Sequence, residues 1–344
     1  MPNEECDCLN LDGRYNDVFS IYVSIPFCVG KCRSCPFFKH AVVESSLGLE
    51  LERYVDIIVE RINHAPQRFQ TAKCTAVYFG GGTASLLSIK QIRRLLDAIR
   101  KRFNLIDDCE ITLEGNPLDY TRQYLNDLSG ITRVSVGLQS LDDKTLKIIG
   151  TRHNKRAAEE SLAALNLVRH KFKAVNIDFI YAIKTSISPT DDDLKRIIDY
   201  GFQSITLYRY DSKTHSIDKN AAWETYLHCK ELLQNHNFVE GLFGFFTNKY
   251  VNVYNENLIA ANEMIGLGPG SYGFINGYMT KFQNNYNEYI CTNKFLTHRS
   301  INPDRQMRLD VFRILCDPSI NLKARITERM YKDEIARLEG YPYF

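Results

Sequence analysis

Along this chain, short apolar and β-branched runs alternate with stretches whose apolar positions recur every three or four residues. Strand-like runs fall near residues 20–27, 74–80, 109–115, 133–139, 173–182 and 204–210. Between them lie helical patterns. Leu51, Tyr54, Val55, Ile58, Val59 and Ile62 share one helix face, and similar patterns run near 88–103, 119–129, 155–170 and 190–201. Strands that alternate with helices imply parallel pairing through right-handed crossovers. Six such units fall short of a closed eight-fold barrel. The expected architecture is therefore α/β, an open, partial (β/α)6 TIM-type barrel over residues 19–215. Residues 1–18 are polar without an apolar period and are expected as an N-terminal arm. From about residue 211 the alternation stops. Aromatic and polar stretches (Gly241 to Tyr254, Tyr272 to Tyr289) precede helical patterns near 304–316 and 324–339. Residues 216–344 are thus expected as an extension followed by a shortened, mainly helical C-terminal region.

Composition narrows the class without changing the fold. A chain of 344 residues exceeds the usual single-core size unless that core is an α/β barrel. A hydrophobic content of 44% is ordinary for a globular protein. A net charge of +2 gives no electrostatic case for nucleic acid, so no nucleic-acid partner is expected. No apolar run approaches the ~18 residues of a membrane span, and none is expected. The start, Met-Pro-Asn-Glu-Glu-Cys, lacks the positive-then-apolar order of a signal peptide. Ten cysteines, three of them in one short loop, fit a reducing compartment, so a cytoplasmic location is expected. The other seven (Cys6, Cys8, Cys74, Cys109, Cys229, Cys291, Cys316) show no pairing pattern.

The candidate chemistry begins where the first apolar run, Ile21-Tyr22-Val23-Ser24-Ile25-Pro26-Phe27, leads into Cys28, Cys32 and Cys35 at spacing C-x3-C-x2-C. That order puts thiolates at the carboxyl end of a strand, where α/β folds keep their chemistry. Three cysteines can each take one iron of a cubane cluster and leave the fourth iron open. The alternative is structural zinc, which takes four Cys/His ligands. No second cysteine pair follows, and His40 is the candidate fourth ligand for zinc. A second motif, Tyr78-Phe79-Gly80-Gly81-Gly82-Thr83, ends a strand in three glycines. Such a run permits positive φ and close approach to a ligand, or simply a tight strand-to-helix turn. Glu114, Gln139 and Asp178 end or interrupt later strands. A carboxylate among β-branched neighbours needs a partner: a cofactor's hydroxyl or ammonium groups, an internal salt bridge, or a helix N-terminus.

With its Tyr-x-x-Ile-Pro-Phe-Cys lead-in, the cysteine loop resembles the radical S-adenosylmethionine (SAM) superfamily. More narrowly, the chain resembles the oxygen-independent coproporphyrinogen III oxidase-like (HemN/HemW-like) family. That resemblance implies a partial barrel of the radical SAM type and a [4Fe-4S] cluster held by Cys28, Cys32 and Cys35. It implies SAM chelated at the open iron and cleaved to a 5′-deoxyadenosyl radical. It also implies an electron donor such as flavodoxin or ferredoxin. The glycine run matches the family's Gly-Gly-Gly-Thr-Pro-Ser/Thr segment, with Ala84 where proline usually stands. Glu114, Gln139 and Asp178 match its Glu-x-Asn-Pro, Gly-Val-Gln-Ser and Asn-Ile-Asp-Leu-Ile-Tyr segments. By resemblance, Tyr22, Gly81 and Glu114 face a cluster-bound SAM, while Gly82, Thr83, Gln139 and Asp178 face a second SAM. Ile265-Gly266-Leu267-Gly268-Pro269-Gly270-Ser271-Tyr272 is similar to the family's later Gly-rich strand, which closes the cofactor pocket.

The resemblance covers roughly residues 20–290 and carries departures. Porphyrin-oxidising members carry an aromatic where Ser34 stands and a fourth cysteine where Phe37 stands. Their second-SAM arginine falls on Thr151, with Arg152 one place late. The haem chaperone's His-Asn-x-x-Tyr-Trp is here Tyr254-Asn255-Glu256-Asn257-Leu258-Ile259. Where relatives have Gly-Leu-Pro-Gly-Gln-Thr, this chain has Ala182-Ile183-Lys184-Thr185-Ser186-Ile187. A complete winged-helix C-terminal domain is not expected to fit. Three readings follow: a two-SAM methyl- or alkyl-transferring enzyme acting on an sp2 carbon of a small-molecule acceptor; a coproporphyrinogen III oxidative decarboxylase; and a haem-binding chaperone retaining the cluster. Arg209, Lys213 and His215 suit an anionic substrate or a solvated loop equally, and no residue is assigned as catalytic.

Overall fold

The computed structural model describes residues 17–299 except 31, 34, 36–39, 42–43, 66, 184–187, 211–218, 261, 276–277, 283–284 and 292–295. The N-terminal arm up to residue 16, Cys6, Cys8, Cys316, Ser34, Phe37, Lys213, His215 and the helical patterns near 304–316 and 324–339 lie outside the described residues.

The period-2 runs form β1 (Val18–Ile25), β2 (Lys73–Gly81), β3 (Asn104–Gly115), β4 (Arg133–Gln139), β5 (Ala174–Tyr181) and β6 (Ser204–Arg209). Between them run α1 (Glu44–Asn63), α2 (Ile89–Arg102), α3 (Arg122–Asp127), α4 (Asp143–Ile149), α5 (Lys155–Val168) and α6 (Asp191–Asp199). The six strands pair in parallel in chain order, each beside the next. One strand face is apolar: Phe19, Ile21, Val23, Val77, Phe79 and Leu113 are buried against Leu51, Tyr54, Val55 and Ile58 of α1 and Ile92, Leu95 and Ile99 of α2. Each such side chain contributes about 1.5–3 kcal/mol on burial. The alternate positions are polar. Ser20, Thr112, Arg133, Ser135, Asn176, Ser204 and Thr206 are all buried and line the concave face.

The crossover after β4 holds two helices, and the sequence pattern anticipated only α5. α4 is too short for a readable period. It is fixed instead by its ends: Asp142 accepts from the Thr145 amide at 2.8 Å, and Gly150 closes it in the left-handed region.

Past residue 211 the chain is more regular than its pattern suggests. α7 (Lys219–Asn235) supplies the helix after β6. There follow β7 (Phe245–Thr247), α8 (Val253–Ile259), β8 (Glu263–Leu267), β9 (Tyr272–Ile275), β10 (Tyr278–Lys281), α9 (Tyr286–Cys291) and β11 (Leu296–Arg299). β8 runs parallel to β1 on the side away from β2, with Tyr22 opposite Gly266. Among the described residues the sheet runs β11-β10-β9-β8-β1-β2-β3-β4-β5-β6-β7 and ends on a short strand at Val239–Glu240; its two edges do not pair, so the barrel is open. α8 packs across the lumen towards the amino ends of the strands. The Tyr254 ring packs at a tilt against Tyr78, centroids 4.6 Å apart, and Asn257 Nδ2 donates to Ser20 Oγ at 2.7 Å and Thr75 Oγ1 at 2.8 Å. The opposite end carries the cysteine loop. Among the described residues no helix is long and apolar enough to cross a membrane.

Candidate functional site

The cysteine loop leaves β1 at Pro26 and returns, Phe27–Cys28 pairing in parallel with His40–Ala41. Backbone hydrogen bonds fix it from three sides: His40 N to Pro26 O at 2.7 Å, Thr83 N to Phe27 O at 2.9 Å, and Arg33 N to Ile149 O at 3.0 Å. The last comes from the end of α4. There Gly150 has φ 75°, and a Cβ on it would lie 3.1 Å from Arg33 Cγ. The unanticipated helix is therefore a buttress of the loop. Cys28 is 8% exposed, and its Sγ lies 3.4 Å from Thr83 Oγ1.

Glycine is required at Gly82 by the closeness of two backbones. A Cβ there would stand 2.6 Å from Phe27 O and 2.8 Å from Ile25 O, while its N–H donates to Ile25 O at 2.7 Å. Gly81 adds a φ of 103°, which other residues rarely adopt. The two motifs seen in sequence are thus one structure, the end of β2 sewn to the cysteine loop.

Glu114 lies beside this seam, its Oε1 accepting from Tyr78 Oη at 2.6 Å. Burial pushes its carboxyl up to about 7, with Asp178 adding to the rise while Tyr78 and Arg133 oppose it. Asp178 accepts from Asn176 Nδ2 at 2.7 Å and Ser135 Oγ at 3.3 Å. Burial raises it to about 6, with Arg133, Asn176, Thr206 and Ser135 holding it down. Gln139 ends β4 with φ 65°, and its buried Oε1 has no hydrogen-bond partner. Left-handed backbone in a non-glycine residue is strained and concentrates at functional positions. An orphaned buried acceptor beside it suits a donor from a ligand. Tyr22 stacks on Tyr78 at 5.9 Å.

Arg133 was not anticipated. It is 2% exposed in the lumen, and its Nε and Nη1 have no partner. Burial works against its charge, but Tyr78, Glu110, Tyr250 and Asp178 hold it above the usual arginine value. The signal that picked out Glu114 and Asp178, a charge inside an apolar strand, was present at Arg133 also. A second unanticipated group is the buried His153. Its Nε2 donates to Leu138 O at 2.9 Å, and Asn116 Nδ2 lies 3.3 Å from its Nδ1. Arg152 pairs with Asp119, and Thr151 Oγ1 donates to His153 O at 2.8 Å.

The donor set fits a thiolate-held cluster better than zinc. Among the described residues no three His, Cys, Asp or Glu side chains are placed to share one metal ion. A four-iron cube does not ask for that, because each thiolate takes a different iron and the sulfurs stand around the cube. His40, the fourth ligand zinc would need, is engaged elsewhere: Nε2 lies 3.2 Å from Glu50, and its ring stacks on Tyr286 at 4.4 Å.

The raised carboxyls carry a pH dependence. Glu114 has an ordinary value of 4.5 and about 7 when folded, so between these limits the folded chain binds more protons than the unfolded one. Its stabilising contribution is full below pH ~4.5 and is lost as pH rises through ~7. The full displacement corresponds to ~3 kcal/mol, and partial exposure of Glu114 reduces this to about 2 kcal/mol. Urea titrations of cofactor-free protein between pH 5 and 8 should show the decline, and Glu114→Gln should flatten it. An equal slope in that variant would place the effect elsewhere.

Comparison with known proteins agrees with this geometry. Residues 22–201 match the profile of the Radical SAM superfamily. The chain is 28% identical over 290 residues to the heme chaperone HemW of Haemophilus influenzae, covering 76% of this chain and 73% of that protein. It is 27% identical over 272 residues to radical S-adenosyl methionine domain-containing protein 1, mitochondrial, of Danio rerio, covering 74% and 60%. The fold is similar to coproporphyrinogen III oxidase (HemN) from Escherichia coli, with TM-score 0.72 at 18% identity, covering 87% of this chain and 75% of that one. Superfamily membership brings with it a [4Fe-4S] cluster and SAM as cofactors. A thiolate loop, a glycine seam and strand-end carboxyls on an open parallel barrel are what the matched profile spans; the chain is similar to HemW and HemN proteins, and it belongs to the radical SAM superfamily.

Proposed function

We propose that this chain is a radical SAM enzyme that uses two SAM molecules to transfer a methyl or alkyl group to an sp2 carbon of a small-molecule acceptor. Cys28, Cys32 and Cys35 would hold the cluster, reduced by a donor such as flavodoxin or ferredoxin. When bound, the cluster and SAM supply a 5′-deoxyadenosyl radical. The chain's own residues position and enclose. Glu114, held by Tyr78 and close to neutral pH in its titration, accepts hydrogen bonds from an ammonium group, and the incoming cation favours its ionised form. Gly81 and Gly82 pack against Ser24, Ile25 and Phe27 and fix the end of β2 against the cysteine loop. Asp178 accepts from hydroxyls, and Gln139 offers its orphaned Oε1. The observation that carries the two-ligand reading is that orphan. It stands at the end of β4, three strands from the cysteine loop, on the side assigned by resemblance to the second SAM. Proximity then sets selectivity, because a radical meets the nearest bond first.

With its acceptor, the reconstituted protein should release 5′-deoxyadenosine and S-adenosylhomocysteine together. The first without the second would remove the transfer reading. If protoporphyrinogen formed anaerobically from coproporphyrinogen III, oxidative decarboxylation would replace it. A second reading draws on the HemW names of the relatives, which call those proteins heme chaperones. Stoichiometric haem binding without turnover would favour a carrier over an enzyme.

A further inference from the structure

We propose that the Thr83 hydroxyl donates a hydrogen bond to the Cys28 sulfur of the assembled cluster and thereby sets how readily that cluster accepts an electron. The inference rests on the cluster assignment made under Proposed function, and it gives Thr83 a role distinct from holding a second SAM. Three observations support it.

The first is contact: Cys28 Sγ and Thr83 Oγ1 are 3.4 Å apart, within hydrogen-bonding range for sulfur. A thiolate bound to iron has no proton, so only the hydroxyl can donate. The second is what the hydroxyl does not do. Thr83 stands at the cap of the 3-10 turn Ala84–Leu86, where threonine commonly bonds the turn's own amides, but it makes no such side-chain bond. Its backbone is held by Thr83 N to Phe27 O at 2.9 Å and Leu86 N to Thr83 O at 3.2 Å, which leaves the hydroxyl committed to the sulfur. The third is burial. Cys28 is buried, whereas Cys32 and Cys35 are partly exposed, so a donor at Cys28 acts where water screens least.

Reduction adds one electron, and hence one negative charge, to the cluster and its thiolates. A fixed donor at one sulfur stabilises that charge and raises the reduction potential; hydrogen bonds to ligand sulfurs are a recognised lever on such potentials. Thr83→Val keeps the branched shape and removes the donor. Thr83→Ser keeps the donor and loses a methyl group.

The test is an anaerobic, dithionite-poised titration of reconstituted protein followed by electron paramagnetic resonance, without SAM, so that any contact of Thr83 with that cofactor contributes nothing. Thr83→Val should load iron and sulfide as the parent does and show a more negative midpoint. Thr83→Ser should match the parent. Electron–nuclear double resonance of the reduced cluster should show an exchangeable proton coupling in the parent and Thr83→Ser that is missing in Thr83→Val. A parental midpoint and coupling in Thr83→Val would overturn the inference, as would a Thr83→Ser protein that behaves like Thr83→Val. If Thr83→Val does not load, Thr83→Ala is read against the same criteria. A parent that assembles no cluster fails the cluster assignment itself.

Discussion

Replacing any one of Cys28, Cys32 and Cys35 with alanine should abolish assembly of the intact cluster and reductive cleavage of SAM while leaving the chain folded. The separation of the two effects follows from how the loop is held. Its fixings are backbone hydrogen bonds, from His40 to Pro26, from Arg33 to Ile149 and from Thr83 to Phe27, and none involves a thiol. Cys32 and Cys35 are partly exposed, so alanine there should change stability by only about 0.5 kcal/mol. Cys28 packs more tightly and should lose roughly 1 kcal/mol. The chain carries its own control. Cys74, Cys109 and Cys229 are buried free thiols in the barrel wall and α7. Alanine at these positions should lower the thermal midpoint and leave the iron and sulfide content unchanged. Iron, sulfide and zinc analysis after anaerobic reconstitution reads the difference. One equivalent of zinc with no sulfide, or full iron retention in two of the three loop variants, would end the cluster assignment.

Much of the barrel was legible because its evidence is local. β1 to β6 lie within a few residues of the expected runs, except that β3 begins earlier, and α2 and α5 lie close to their patterns. The period of a half-buried strand or helix is set by its own side chains. What local pattern alone could not place, even where resemblance marked a later Gly-rich strand at residues 265–272, depends on distant partners. β8 is a five-residue strand, Glu-Met-Ile-Gly-Leu, and only its pairing with β1, some 240 residues away, makes it a parallel neighbour. α8 is seven residues long and is defined by what it covers: Glu110 accepts from the Val253 and Tyr254 amides at its start, and Asn257 reaches Ser20 and Thr75. The same holds within the site. The cysteine loop and glycine run could be read singly, but not that Gly82 must be glycine because Ile25 and Phe27 carbonyls press on it. Nor does the sequence show that Glu50 and Tyr286 occupy His40, the candidate zinc ligand.

Arg133→Met should destabilise the cofactor-free protein by roughly 3–5 kcal/mol at pH 8, the range for removing one partner from buried charges, and by clearly less at pH 5. The reason is the company Arg133 keeps. It is enclosed in the lumen with Glu110, Glu114 and Asp178 close enough to shape its charge or be shaped by it. At pH 8 both Glu114, at about 7, and Asp178, at about 6, are largely ionised, so methionine leaves several carboxylates without a cation among them. At pH 5 both are largely protonated and the imbalance shrinks. Removing the guanidinium also lifts both carboxyls further. The pH range over which stability is lost should therefore extend upward, since a raised carboxyl loses its stabilising contribution as pH passes its folded value. Arg133→Lys separates charge from shape: it keeps a cation but changes the packing, and should recover most of the pH 8 loss. A purely steric role predicts the opposite pattern, with equal losses at both pH values and no rescue by lysine. Two orphaned nitrogens on Arg133 mean that its hydrogen bonding is incomplete, so what the cation supplies to this fold is balance for the acids above it.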